Sequence, residues 1–229
     1  MSELKNLEDN LKIAFKNKNL LREALTHRSY LNENPSWDVP HNERLEFLGD
    51  AVLELIVTEN LFSAYPSHTE GELTSIRASL VNYQTLAKVS KDIKLDESIY
   101  LSKGEAKDTA RAKEVILANA IEALIGAIYL DQSYETVANF VKENVMKLLP
   151  EIVEKKLYRD PKSMLQEIIQ EKLKTTPTYE VISEDGPDHD KIFEIGVYFS
   201  DKLAGTGKGH SKQEAEIEAA KNALQKIGQ

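Results

Sequence analysis

Apolar residues recur every three to four positions through most of the first 150 residues, and that spacing predicts one helix after another. Leu4 to Phe15 and Leu20 to Tyr30 carry it first. Asn32 to His41, with Pro35 and Pro40, reads as a loop leading into His41–Leu55, HNERLEFLGDAVLEL. In a helix turning about 100° per residue, Glu43, Glu46 and Asp50 (i, i+3 and i+7) share one face. Leu48, Ala51, Val52 and Leu55 fall on the opposite arc, which is expected to face the core. After a break at Tyr65-Pro66, SHTEGELTSIRASLVNYQTLAKVSK reads as a long amphipathic helix with Glu70 at its start beside Gly71. Leu95 to Asp108 reads as a loop around Gly104. Arg111 to Asp131 is a helix apolar on nearly all sides, and so expected to be central.

Further on the period changes. LPEIVEKKLYRDPK, residues 149–162, is charged and contains Pro150 and Pro161, so a linker is expected over 150–160, between domains 1–149 and 161–229. The remainder reads α-β-β-β-α, with Lys162–Lys174 helical, Thr178–Ser183, Lys191–Phe199 and Asp201–Gly207 as strands, and Ser211–Ile227 an alanine-rich helix. The predicted fold class is an all-α domain followed by a small α+β domain.

Composition then excludes several partners. A chain of 229 residues without cysteine has neither disulfides nor a zinc–thiolate site, which fits a cytoplasmic setting. The charged start, MSELKNLEDNLKIAF, and an apolar run Val115–Leu130 interrupted by Asn119 and Glu122 predict no targeting or membrane-spanning segment. A net charge of −9 argues against indiscriminate binding of polyanions, so any nucleic-acid contact must be local.

The acids are the candidate chemistry. Carboxylates stacked at helical spacing repel one another and call for a cation, and hard oxygen donors suit Mg²⁺, with Mn²⁺ able to substitute. Asn119 and Glu122, at i and i+3 among Ile116, Leu117, Ile121, Leu124, Ile125 and Ile128, embed a second carboxylate in core-like surface. Glu46, Asp50 and Glu122 together fit a shared metal site between two helices. A solvated acidic face, and a Glu122 hydrogen-bonded to a neighbouring helix, are the plainer alternatives. Phe47, beside the acidic face, is either ordinary core or covered by a partner. In the second domain Gly205, Gly207, Lys208, Gly209, His210, Ser211 and Lys212 surround a helix N-terminus, where free N–H groups favour phosphate. Ser211 with Glu214 also fits a capping box.

Two sets of motifs carry a family resemblance. NERLEFLGDAVLELI, then TEG and ILANAIEALIGAIYLD, closely resemble the ribonuclease III family of double-stranded-RNA endonucleases, as do THRSY at 26–30 and LSKGE at 101–105. The resemblance implies that Glu46, Asp50, Asn119 and Glu122 are metal-binding positions, with Asp50 and Glu122 most important for chemistry, and that Glu43 and Glu70 are accessory acids in the cleft. Asn119 stands where the family commonly has Asp, so weaker metal affinity is expected. It further implies Mg²⁺-dependent hydrolysis to 5′-phosphate and 3′-hydroxyl ends with short 3′ overhangs, in the processing of rRNA and mRNA precursors. The enzyme would be a symmetric homodimer into which Phe47 packs, with no organic cofactor and no membrane.

Residues 161–229 resemble the double-stranded-RNA-binding domain. On that likeness Gln166, Glu167 and Gln170, and the loop residues Gly186, Pro187 and His189, meet successive minor grooves. Lys208, Ser211 and Lys212 take phosphates across the major groove. Gln213 replaces a frequent Lys, which implies lower affinity. The alternative function is a non-catalytic duplex-RNA binder on a catalytically weakened fold.

Overall fold

In the computed structural model, which describes residues 2–187 and 191–227, the long apolar stretch becomes the axis of the first of two units, Met1–Tyr158 and Arg159–Gln229. The first is helical: α1 (Ser2–Leu11), α2 (Lys18–Leu25), α3 (Arg28–Glu33), α4 (Glu43–Ala64), α5 (Glu70–Val81), α6 (Tyr83–Asp92), α7 (Ala110–Asp131), α8 (Tyr134–Asn144) and α9 (Leu149–Glu154). Helix α7 buries Ile116, Leu117, Ile121, Leu124, Ile125 and Ile128, and α2, α4 and α6 pack against it. Its last residue is anchored too. Asp131 accepts hydrogen bonds from the backbone N–H groups of Lys16 (2.8 Å) and Asn17 (2.7 Å), which hold its carboxyl below the usual range despite burial.

Capping chemistry breaks two helices that periodicity predicts as continuous. The Leu20–Tyr30 stretch divides because Thr26 leaves the helix to bridge Tyr100, and the His27 N–H donates to the Tyr100 carbonyl (3.1 Å). His27 then caps α3 with its ring, accepting from the Ser29 N–H (3.3 Å). Ser29 Oγ in turn accepts from the Ser102 N–H (3.2 Å), so the THRSY and LSKGE stretches hold each other in place. Trp37 closes this corner. Its indole donates to Thr26 Oγ1 (3.1 Å), its ring lies 5.0 Å from Tyr30 and 4.8 Å from Tyr100, and the Arg22 guanidinium stacks over it at 4.5 Å. The second break falls at Asn82, whose side chain accepts from the Thr85 N–H (2.9 Å) and starts α6 afresh.

The buried face of α4 is Leu45, Gly49, Val52, Leu53, Ile56, Val57 and Leu61. Val52 lies inside as predicted and Leu48 packs partly against the core, but Ala51 and Leu55 face solvent. The predicted arc is rotated toward α7, because small Gly49 is the point of closest approach. At the other end, Leu149 and Ile152 of α9 are buried in the first unit's core, so the start of the stretch expected to be linker is helical.

The second unit consists of α10 (Pro161–Leu173), antiparallel strands β1 (Thr178–Asp185), β2 (Ile192–Phe199) and β3 (Lys202–Gly209) in the order β1-β2-β3, and α11 (Lys212–Ile227). Leu165, Ile169, Val197, Ala219, Ala220 and Ala223 form its core. The alanines of α11 and the glycines of β3 interlock: a Cβ on Gly207 would stand 2.5 Å from the Ala215 carbonyl oxygen. These glycines therefore belong to a tight strand–helix contact.

Candidate functional site

Two glycines set the geometry of the first unit's acidic cluster. Where α4 crosses α7, a Cβ on Gly49 would stand 1.7 Å from the Glu122 carbonyl oxygen, and one on Gly126 would stand 2.3 Å from that of Leu45. The backbones therefore touch. Glu46 and Asp50 flank Gly49 on α4, while Glu122 and Asn119 lie one and two turns before Gly126 on α7, so the crossing brings the four side chains together.

Their electrostatics show it. Burial and the nearby Asp50 and Glu46 push the Glu122 carboxyl up to about 8. Burial, Glu43 and Asp50 raise Glu46 in the same direction, opposed by a hydrogen bond from the Asn119 amide. The charged neighbours that perturb Glu122 are both acids. Even so, among the described residues no three His, Asp or Glu side chains converge closely enough to enclose one ion. An oxygen-only set of clustered acids fits a hard divalent cation.

Glu43, in the first turn of α4, acts on Glu46 but is met from outside by Arg28 (3.4 Å) and His41 (3.8 Å). Glu70 stands elsewhere, at the start of α5. It accepts from the Thr74 hydroxyl (3.0 Å) and is not among the charges acting on Glu46 or Glu122. It lines a hollow of about 450 Å³ with Thr58, Leu61, Phe62, His68, Leu73 and Arg77.

Phe47 is 82% exposed, which removes the ordinary-core reading. It heads a solvent-facing apolar stripe on α4 with Ala51, Leu55 (51% exposed) and Phe62 (74% exposed). The Leu55 and Phe62 members were hidden from sequence reasoning, because an outward stripe and an inward one have the same helical period.

In the second unit Gln166, Glu167 and Gln170 are exposed on α10, with Glu167 paired to Arg159. Gly186, at φ 95°, and Pro187 are exposed after β1; His189 lies outside the described residues. Ser211 Oγ accepts from the Glu214 N–H (3.1 Å), and the Glu214 carboxylate accepts from the His210 N–H (3.0 Å), a reciprocal cap on α11. Lys212 is exposed at that end. Lys208 is not beside it in the strand pattern: Gly207 and Gly209 face α11, so Lys208 points to the other sheet face, 3.5 Å from Glu194.

Comparison with known proteins places both units. A family described as Ribonuclease-III-like matches residues 17–149, and one described as double-stranded RNA binding motif matches residues 161–227. The chain is similar to ribonuclease 3 of Desulforamulus reducens, with 46% identity over 221 residues, 96% of this chain and 90% of that one. It is also similar to ribonuclease 3 of Streptococcus gordonii, with 45% identity over 227 residues, 99% and 97% of the two chains. Among solved structures, the nuclease domain of ribonuclease III from Campylobacter jejuni, described for structural flexibility in a region involved in dimer formation, aligns with a TM-score of 0.57 and 41% identity. That alignment covers 63% of this chain and 96% of that one.

Proposed function

The chain belongs to the ribonuclease III family, and from that premise we propose that it cuts both strands of duplex RNA as a divalent-metal-dependent homodimer. The family and its two domains make it a ribonuclease with a double-stranded-RNA-binding domain. The observation that carries the metal-dependent reading is the α4–α7 crossing, which gathers Glu46, Asp50, Asn119 and Glu122 with an uncompensated negative charge.

Glu46, Asp50 and Glu122 are the carboxylates that would hold the metal, Mg²⁺ with Mn²⁺ as a substitute. When bound, the cation supplies neutralising charge for the scissile phosphate and the departing 3′ oxygen. The Asn119 amide steadies the Glu46 carboxylate in its charged form. Glu122, titrating near neutrality, is able to lose its proton as positive charge arrives. The ends produced are 5′-phosphate and 3′-hydroxyl with short 3′ overhangs, and structured rRNA and mRNA precursors are the substrates. Among the described residues no helix is long and apolar enough to cross a membrane.

Cleavage of a long end-labelled RNA duplex tests this reading. Wild type is expected to cut with Mg²⁺ and not with EDTA, and Asn119→Asp to reach half-maximal rate at a several-fold lower Mg²⁺ concentration, through its added ligand charge. Duplex binding without cutting in Mg²⁺ or Mn²⁺ would make the chain a binder on a weakened catalytic fold.

The stripe on α4 supports the homodimer. Positions 47 and 62 lie equally far from 54–55, so two α4 helices antiparallel about an axis there bring Phe47 of each against Phe62 and the hollow behind it on the other. Phe47→Ala is expected to weaken self-association at least tenfold in sedimentation at dilute concentration. An unchanged profile would count against the homodimer.

A further inference from the structure

Lysines near the start of α11 are less available than their number suggests. One oxygen of the Glu184 carboxylate lies 3.6 Å from Lys212 Nζ and the other lies 3.6 Å from Lys191 Nζ, while Lys212 Nζ also sits 5.6 Å over the Phe193 ring. A β-bulge aims the acid there. Glu180 pairs with Gly196 on the sheet face turned away from α11, and unbroken alternation would leave Glu184, four residues on, on that same face. The extra residue Ile182, between Val181 and Ser183, shifts the register so that Glu184 pairs with Phe193 on the α11 side. It stands next to the exposed Gly186–Pro187 turn and against the N-terminal end of α11. Ion pairs this exposed contribute about 0–1 kcal/mol, so folding stability does not account for an acid directed at that spot.

Resting on the duplex-RNA-binding reading of the second unit, we propose that Glu184 is a specificity-determining residue that makes this surface reject polyanions other than A-form duplex. In the free unit its carboxylate occupies the cations that a phosphate would meet. A duplex presents phosphates on both sides of its major groove at fixed spacing, so it replaces the carboxylate at both lysines in one docking event. A flexible single strand offers one phosphate at a time and leaves the carboxylate facing the rest of its charge. Discrimination therefore comes from a repulsive element that is costly only for the wrong ligand. This also gives a reason for an RNA-binding unit whose net charge, from 9 Lys against 12 Asp and Glu in residues 161–229, is −3.

Fluorescence anisotropy on the full chain in EDTA tests the proposal, with a labelled RNA duplex of about 20 base pairs and a single strand of equal length. Glu184→Gln is expected to tighten the single strand about fivefold and the duplex no more than about twofold, lowering selectivity, with a steeper salt dependence for the single strand. Glu180→Gln removes the same charge from the same strand on the other sheet face and is expected to leave selectivity unchanged. Equal tightening of both ligands by Glu184→Gln, or the same loss of selectivity in Glu180→Gln, overturns the proposal and leaves the RNA-binding reading intact. A wild type that binds neither ligand overturns both.

Discussion

Gly49→Ala is expected to destabilise the first unit by about 4 kcal/mol or more, enough to leave much of the protein unfolded at 37 °C. Helix propensity alone predicts the opposite sign, a gain of about 1 kcal/mol for alanine within a helix. The contact geometry decides between them. An added methyl would lie 1.7 Å from the Glu122 carbonyl oxygen and 2.9 Å from the Gly126 nitrogen, and both obstacles are backbone, so relief requires moving a whole helix. Gly126→Ala should behave alike, with the Leu45 carbonyl oxygen 2.3 Å away. Gly71→Ala, where nothing lies within 4 Å, should be neutral or slightly stabilising. Urea unfolding checks the set, and a Gly49→Ala protein within about 1 kcal/mol of wild type would refute the touching-backbone crossing.

Glu122→Gln is expected to reduce duplex cleavage by about a thousandfold while making the metal-free protein more stable at alkaline pH. The folded-state carboxyl titrates near 8 against an ordinary 4.5, so between those values the folded state holds a proton that the unfolded state has released. Wild-type stability in EDTA should therefore be greatest below about pH 4.5 as far as this group is concerned, fall as pH rises to about 8, and level off above. Discounted for the half-buried position of the side chain, the loss is on the order of 2–3 kcal/mol. The glutamine variant should lack that slope. Addition of Mg²⁺ at pH 9 should restore stability to wild type more than to the variant, because a cation binding only the folded state stabilises it by mass action. If chemical denaturation at pH 5 and pH 9 gives the same slope for both proteins, Glu122 is not the strained member of the cluster.

Much of this was legible from spacing. Glu46 and Asp50 on one helix and Asn119 and Glu122 on another were readable as polar positions at helical intervals, and the resemblance joined the two stretches across roughly seventy residues of chain. The means by which they meet was not. By propensity alone Gly49 within a helix only weakens it, because a glycine's use depends on what lies opposite, and Gly126 is simply a small residue in an apolar run. Rotation of α4 was equally hidden. Ala51 and Leu55 have the composition of a core face, and only the crossing at Gly49 turns the inward face to Leu45, Leu53 and Ile56. The helix breaks at Thr26 and Asn82 depend on a distant backbone bridge and on side-chain caps, which periodicity does not register. In the second unit the glycines of β3 carried a phosphate-loop signature, and the same residue type served a packing need.

The aromatic corner around Trp37 makes the molecule its own reporter. Trp37 is the sole tryptophan, and it belongs to the first unit, with the Arg22 guanidinium on its ring and Tyr30 and Tyr100 against it. Emission excited selectively at the indole is therefore blind to the melting of the second unit, whereas far-ultraviolet dichroism registers both. The gap between those two transitions, in one sample and without a label, measures how independently the nuclease half and the RNA-binding half come apart.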